Sequence, residues 1–313
     1  MKTGRPARVF IAVIISFVVL HFLVAAGFGQ NFKFPSFSSL SPPTTPATPT
    51  TPNRHGIPEK IWHTAKEDHV TERQQEWLDS WIKVNPSMRQ ELLTDRSSET
   101  FQLSIPILRA DLLRYLIILA EGGYWSDLDV SCDKKVAEWI PAEYRNSEID
   151  LVVGLEFDFE YRGPNVEVAS QFCNWVFMAP PSSRSLQITV DAIVANLTQI
   201  AFKNGVDVRD ITMDMLPQDV VNITGPKIMT ISILDGLSKL LGRTVDDRDF
   251  SGIKHPKLVG DVLIMPGVSF AAMQNGFPTD QGDHLVTHHY EGSWKHADAE
   301  AKEKKKQQEG GNA

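Results

Sequence analysis

The sequence predicts an α/β domain with a mostly parallel sheet, carried behind one N-terminal transmembrane helix. Three observations support this. Between about residues 56 and 295, apolar segments of strand length alternate with amphipathic segments of helix length. A run of 21 residues without a charged side chain, 9–29, stands near the N-terminus. A Pro/Thr-rich stretch separates the two. The averages over all 313 residues (42% hydrophobic, 22% charged, net charge −8) exclude a wholly disordered chain and a multi-span membrane protein. They also give no sign of an electrostatic nucleic-acid binder.

The N-terminal run VFIAVIISFVVLHFLVAAGFG has only Ser16 and His21 as polar interruptions. About 20 apolar residues in a helix span roughly 30 Å of hydrocarbon. Lys2, Arg5 and Arg8 precede it, and the next basic residue is Lys33. The positive-inside rule then places residues 1–8 in the cytosol and everything after residue 29 in the lumen. The run exceeds the roughly 7–15 residues of a signal-peptide core, which favours an uncleaved signal anchor. Ala25-Ala26-Gly27 supplies the alternative, a cleavage site. Residues 30–55 read as a stem. In Ser41–Asn53, five of thirteen residues are Pro and five are Thr, a composition that stays extended and suits O-glycosylation. Residues 296–313 are rich in Lys, Glu, Gln and Ala without an apolar stripe, and read as a solvated, disordered tail.

Residues 56–295 are the working domain. Lys60-Ile61-Trp62-His63 reads as a first buried strand. Glu72–Lys83 places Trp77, Leu78, Trp81 and Ile82 at helical spacing. Pro106–Glu121 is the clearest helix, striped by Leu108, Leu112, Leu116 and Leu119 and stopped by Gly122-Gly123. Tyr124–Val130, Leu151–Leu155, Gln171–Ala179 and Val262–Pro266 read as strands, and Ser183–Phe202 and Ile228–Leu241 as helices. Cys132 and Cys173 allow two readings, a luminal disulfide or two buried thiols. Asn196 and Asn222 head N-glycosylation sequons.

The chemistry concentrates after the double glycine. On a continuous strand Asp127 and Asp129 would project from one face, with Leu128 pointing into the sheet. Two like charges side by side are costly unless a cation lies between them, and hard oxygen ligands suit Mg²⁺ or Mn²⁺. Asp111 and Arg114 are i and i+3 on the helix that feeds this strand, and Arg109 lies on the same helix. The plain reading of Asp111 and Arg114 is a helical ion pair worth a few tenths of a kcal/mol. The segment His288-His289-Tyr290-Glu291-Gly292-Ser293-Trp294 supplies imidazoles that could complete an acidic metal site.

The string RADLLRYLIILAEGGYWSDLDV resembles the signature of glycosyltransferase family 32, and most closely its fungal initiation-specific α-1,6-mannosyltransferase group. Four further segments are similar to that group, in order: IPEKIWHTAK, QFCNWVFMAPPSS, NITGPKIMT, and GDVLIMPGVSF followed by HHYEGSWK. The resemblance implies a GT-A-type nucleotide-sugar-binding domain with GDP-mannose as donor, Mn²⁺ or Mg²⁺ as cofactor and an N-glycan acceptor. It also implies a single-pass type II Golgi membrane protein and a Golgi mannosyltransferase complex as partner. By the same resemblance Asp129 holds the metal directly and Asp127 contacts the ribose or the metal through water. Asp111, Arg114 and Arg109 hold the donor sugar and its phosphate, with Arg114 also catalytic alongside the two aspartates. His289 is the expected metal ligand, over its neighbour His288, with Ser293 and Trp294 closing over the diphosphate. Trp125 stands where the family has Tyr, which removes a hydroxyl. Gln171, Asn174 and Trp175 fall in the acceptor-facing segment. The sequence leaves two alternatives. One is an inositol-phosphoceramide mannosyltransferase or another transferase of the family. The other is a catalytically silent, anchored glycan-binding protein.

Overall fold

The computed structural model describes residues 52–65, 69–94, 103–161, 163–164, 166–271 and 282–291. The anchor, most of the stem, Ser293, Trp294 and the charged tail lie outside the described residues. Among the described residues, no helix is long and apolar enough to cross a membrane.

The chain begins with strand β1 (Lys60–Ala65), helix α1 (Glu72–Val84) and strand β2 (Arg89–Thr94). Helix α2 (Pro106–Glu121) leads through the double glycine into β3 (Gly123–Ser126), and β4 (Val130–Cys132) follows. Next come β5 (Leu151–Asp158), β6 (Ser170–Ala179) and the long helix α3 (Arg184–Asn204). The chain continues with a single turn α4 (Val220–Ile223), helix α5 (Pro226–Leu241), β7 (Lys257–Val259), β8 (Val262–Met265), the short helix α6 (Gly267–Ala271) and β9 (Val286–His288).

Seven strands form one sheet in the order β2-β1-β3-β6-β5-β8-β7, and β4 pairs with β9 in a second, two-stranded sheet. In the large sheet β1 is parallel to β2 and β3, and β5 is parallel to β8. Strand β6 is antiparallel to both its neighbours and β7 is antiparallel to β8. Five strands therefore run one way and two the other, so the sheet is mostly parallel with β6 inserted against the grain. All ten residues of β6 are buried, which explains why its sequence shows no alternation.

Two glycines fix how α2 meets the sheet. Gly122 (φ +65°) and Gly123 (φ +107°) both lie in the left-handed region. A Cβ on Gly123 would stand 2.5 Å from the Lys60 carbonyl oxygen of the neighbouring strand. Gly123→Ala is therefore expected to destabilise the domain by about 2 kcal/mol or more, from the left-handed backbone plus displacement of β1. Urea unfolding measures this, and a loss within about 0.5 kcal/mol would contradict it.

Beneath the end of β3, His63 is fully buried. Its Nδ1 lies 2.9 Å from the Ser126 carbonyl and its Nε2 lies 3.0 Å from the Gln90 amide nitrogen. Those partners require Nδ1–H as donor and a bare Nε2 as acceptor, hence a neutral ring. Burial pushes its pKa from 6.5 down to about 4. As pH falls through 6.5, the unfolded chain takes up a proton that the folded chain refuses. Stability present above that pH is lost progressively down to about 4, by about 3 kcal/mol in total. Urea midpoints between pH 7.5 and 4.5 test this. His63→Gln, which cannot titrate there, should show a flatter profile, and an unchanged slope in that variant would contradict the assignment.

Cys132 and Cys173 are separate buried thiols. Burial pushes the Cys132 thiol up to about 12 and raises Cys173 as well, so neither is a reactive thiolate.

Candidate functional site

The acidic pair does not lie on a strand. Strand β3 ends at Ser126 and β4 starts at Val130, so Asp127-Leu128-Asp129 forms the bend between them. The bend is held by the Asp127 N–H donating to the Trp175 carbonyl (2.8 Å) and the Val130 N–H donating to the Asp127 carbonyl (3.3 Å). The expectation of two carboxylates on one strand face is thus corrected. The turn sends each to its own set of partners, which lowers the repulsion that a shared strand face would impose.

Asp127 belongs to a network rooted in α2. Arg114 Nη1 lies 3.1 Å from Asp127 Oδ1 and donates to the Asn174 carbonyl at 2.7 Å, while Nη2 lies 2.9 Å from Asp111 Oδ1. The Trp125 indole N–H donates to Asp127 Oδ1 at 2.8 Å. Trp125 therefore supplies Asp127 with a hydrogen-bond donor of its own. Asp111 also accepts from Asn174 Nδ2 (3.2 Å) and from the Thr224 hydroxyl (2.9 Å). Asn174 Nδ2 reaches the Tyr115 hydroxyl as well, at 3.1 Å. The Asp111–Arg114 pair is thus no exposed helical ion pair, because both residues are buried. Burial raises the Asp111 and Asp127 carboxyls, with Arg114 opposing in each case. The charge of Asp129 pushes Asp127 up further. Burial alone would lower the Arg114 guanidinium, but the two aspartates outweigh it and keep it charged.

Asp129 faces the other way. Its Oδ1 lies 3.3 Å from His288 Nε2, and its Oδ2 accepts the Glu291 N–H at 3.0 Å. Burial would raise this carboxyl, but the His288 ring and the Glu291 N–H hold it below the ordinary range. The His289 N–H donates to the Asp129 carbonyl at 2.8 Å, so the 288–291 segment hangs on Asp129. The His288 ring packs between Trp175 (4.6 Å) and Tyr290 (3.9 Å). His289 points elsewhere: its ring stacks on Trp77 at 4.4 Å and 9°, and its Nε2 lies 2.9 Å from the Ser131 hydroxyl. The imidazole beside the acidic bend is therefore His288, not the expected His289, because consecutive residues at a strand end face opposite sides.

Other expected residues fall into place around this centre. Gln171 Nε2 donates to Glu156 Oε2 at 2.7 Å. Asn174 is spent within the Arg114 network, and the Trp175 indole N–H donates to the Phe270 carbonyl at 3.1 Å. Arg109 is partly exposed on α2. Asn196 lies inside α3 and Asn222 in the turn α4. Thr224, which the sequence offers only as the third residue of a sequon, is fully buried against Asp111.

Among the described residues, two buried side-chain nitrogens at this site have no hydrogen-bond partner, Arg114 Nε and His288 Nδ1. An unsatisfied buried polar atom is unusual, and each of these is free to bond water or a ligand. Among the described residues, no three His, Cys, Asp or Glu side chains converge to hold a metal unaided. The donor chemistry of Asp129 and His288 nevertheless fits a divalent ion that accepts oxygen and imidazole nitrogen. Mg²⁺-like sites characteristically use one or two carboxylates and complete their coordination with substrate phosphates and water.

Residues 69–146 match the glycosyltransferase sugar-binding region containing a DXD motif. The initiation-specific α-1,6-mannosyltransferase of Schizosaccharomyces pombe is 31% identical over 268 residues, 76% of this chain and 64% of that protein. The chain therefore spans less than two thirds of that relative's length. The enzyme of the same name from Candida albicans is 27% identical over 76% of this chain and 72% of its own. Among solved structures, PaToxG glycosyltransferase is 14% identical over 75% of this chain and 84% of its own, with a TM-score of 0.39. The resemblance read from the motif strings is thus borne out as a similarity: residues 69–146 match the DXD-containing region, and most of the chain is similar to these mannosyltransferases.

Proposed function

We propose that this chain, whose residues 69–146 match that sugar-binding region and which is similar to α-1,6-mannosyltransferases, is a retaining mannosyltransferase of the GT-A type. It moves mannose from GDP-mannose to a glycan hydroxyl, forming an α-1,6 linkage on N-glycans. It works in the Golgi as a single-pass type II membrane protein, anchored by residues 9–29. The observation that carries the reading is the pairing of Arg114–Asp127 with Asp129–His288 just beyond the carboxyl end of β3. Ligands of open α/β sheets bind at such strand ends.

Asp129 and His288 would hold Mn²⁺ or Mg²⁺ together with the donor diphosphate. A bound divalent ion would supply Lewis-acid stabilisation of the charge on the leaving diphosphate. Arg114, held charged by Asp111 and Asp127, would stabilise the same developing charge from the protein side. Asp111 and Asp127 fix the guanidinium from two directions, so it need not reorganise during reaction. In the transfer itself, the bond from the anomeric carbon to the phosphate oxygen breaks and its electron pair stays on GDP. The acceptor oxygen bonds the anomeric carbon from the same face, and its proton passes to the departing phosphate oxygen. The sugar passes through oxocarbenium character, as in glycoside hydrolysis.

A donor panel tests the proposal. The full-length protein is incubated with Mn²⁺, an oligomannose N-glycan and each of several nucleotide sugars, followed by linkage analysis of the product. Turnover of GDP-mannose to an α-1,6-linked product is expected. Turnover of another donor alone would reassign the substrate, and neither turnover nor binding of any donor would favour a silent glycan-binding protein.

A further inference from the structure

The turn that leads into helix α5 enters the Arg114 network at two points. The Thr224 hydroxyl donates to Asp111 Oδ2 at 2.9 Å, across 113 residues of chain. The next carbonyl, that of Gly225, accepts from the Tyr115 hydroxyl at 3.4 Å, and that hydroxyl accepts in turn from Asn174 Nδ2 at 3.1 Å. Thr224 is fully buried. A buried hydroxyl needs a partner, and here the partner is a carboxylate.

The turn is itself held from several directions. The Thr224 and Gly225 N–H groups both donate to the Val220 carbonyl, at 3.0 and 3.1 Å. One turn into α5, the Thr230 hydroxyl accepts the Phe172 N–H of β6 at 2.9 Å and donates to the Pro226 carbonyl at 2.8 Å. The start of α5 is thus tied to β6 two residues before Asn174. Thr224 therefore meets Asp111 from a frame separate from α2, the helix that carries both Asp111 and Arg114.

The two oxygens of Asp111 are divided between partners. Oδ1 faces Arg114 Nη2 at 2.9 Å and Asn174 Nδ2 at 3.2 Å, and Oδ2 takes the Thr224 hydroxyl. With donors on both oxygens, the carboxylate cannot turn about its Cβ–Cγ bond without breaking one of these contacts. Without the hydroxyl, Oδ2 would be left bare in a buried site, and turning it toward the Arg114 and Asn174 donors would relieve it. That rotation would pull on Nη2. The rigid, planar guanidinium carries the pull to Nη1, which reaches Asp127 at 3.1 Å and the Asn174 carbonyl at 2.7 Å.

We propose that Thr224 is a positioning residue for Arg114: its hydroxyl fixes the Asp111 carboxylate and so fixes where the guanidinium points. The assignment rests on the transferase reading above, in which Arg114 stabilises charge on the leaving diphosphate. A misplaced preorganised charge is felt in the transition state more than in substrate binding, so the effect falls on kcat.

The test compares full-length Thr224→Val, Thr224→Ser and Asn222→Gln with the wild type. Valine removes the hydroxyl and serine keeps it. Asn222→Gln removes the sequon that valine at position 224 also destroys. Turnover of GDP-mannose, counted per GDP-binding site with Mn²⁺ present, is expected to fall about tenfold or more in Thr224→Val, with KM within about threefold. Thr224→Ser should recover most of the loss, and Asn222→Gln should match the wild type. A purely structural hydroxyl would lower the number of binding sites and leave turnover per site unchanged, and that result would overturn the proposal. So would a Thr224→Ser protein as slow as Thr224→Val, or the same loss in Asn222→Gln. If Thr224→Val does not fold, Thr224→Cys, which offers only a weak thiol donor, takes its place under the same outcomes. Solvent exchange of the Arg114 Nη2 protons, read by NMR and assigned by their loss in Arg114→Lys, judges the positioning without any turnover. It should quicken about tenfold in Thr224→Val and stay slow in Thr224→Ser, and unchanged exchange in Thr224→Val would overturn the proposal. A wild type that turns over no GDP-mannose would sink the transferase reading alone and leave the exchange measurement to decide on Thr224.

Discussion

Arg114→Met is expected to destabilise the domain by about 3–5 kcal/mol, the loss typical when one partner of a buried ion pair is removed. Arg114 is 6% exposed and bridges two carboxylates, Asp111 at 2.9 Å and Asp127 at 3.1 Å. Without it, Asp111 stays buried and Asp127 partly buried with neutral donors only: Thr224 and Asn174 for Asp111, Trp125 for Asp127. Their burial already pushes them toward protonation, and removing the guanidinium removes the opposing force. Urea unfolding at pH 7 measures the loss. The combined variant Arg114→Met with Asp111→Asn should recover part of it, since one uncompensated charge is then gone. A single-variant loss below about 1 kcal/mol would show that the network is looser than the structure describes.

Asp129→Ala is expected to have the opposite profile, with little effect on stability and a large effect on activity. Asp129 lies in a turn, is only partly buried, and bonds chiefly to the 288–291 segment. Its loss removes the carboxylate proposed to hold the metal–diphosphate and frees the segment carrying His288 and Tyr290. Turnover should fall by about a thousandfold or more, the scale of removing a principal electrostatic stabiliser from a reacting centre. Asp129→Asn separates the two roles. It can still accept the Glu291 N–H but offers no charge, so it should preserve the segment yet remain nearly as inactive. Metal-dependent turnover at the wild-type rate in a folded Asp129→Ala protein would exclude the mechanism.

Which parts of this were legible in the sequence has physical reasons. Helix α2 runs from Pro106 to Glu121 as expected, because a proline fits the first helical turn and the double glycine cannot continue the helix. The buried strands β5, β6 and β8 were visible as apolar runs. Strand β2, RQELLT, was not: it pairs only with β1 at the sheet edge, and all six residues are partly exposed, so tertiary pairing and not composition defines it. The orientation of β6 was also hidden, since a strand buried on both faces reads the same in either direction.

At the site, residue types were legible and directions were not. Asp111, Arg114, Asp127 and Asp129 do gather at one place, but the chain leaves the strand at Ser126 and parts the two carboxylates. One residue of register separates His288 from His289, and that step decides which imidazole meets Asp129. Thr224 and Glu156 had no signal of their own, because their partners, Asp111 and Gln171, are 113 and 15 residues away in the chain.

The central claim is a division of labour: Arg114 compensates Asp127, while Asp129 and His288 take the metal and the diphosphate. Titration of GDP against the wild type, His288→Ala and His289→Ala, each with and without Mn²⁺, tests it most directly. If the account is right, Mn²⁺ tightens GDP binding in the wild type and in His289→Ala, and His288→Ala loses about tenfold or more of that enhancement. If instead His288→Ala keeps the full Mn²⁺ enhancement and His289→Ala loses it, the division of labour is contradicted.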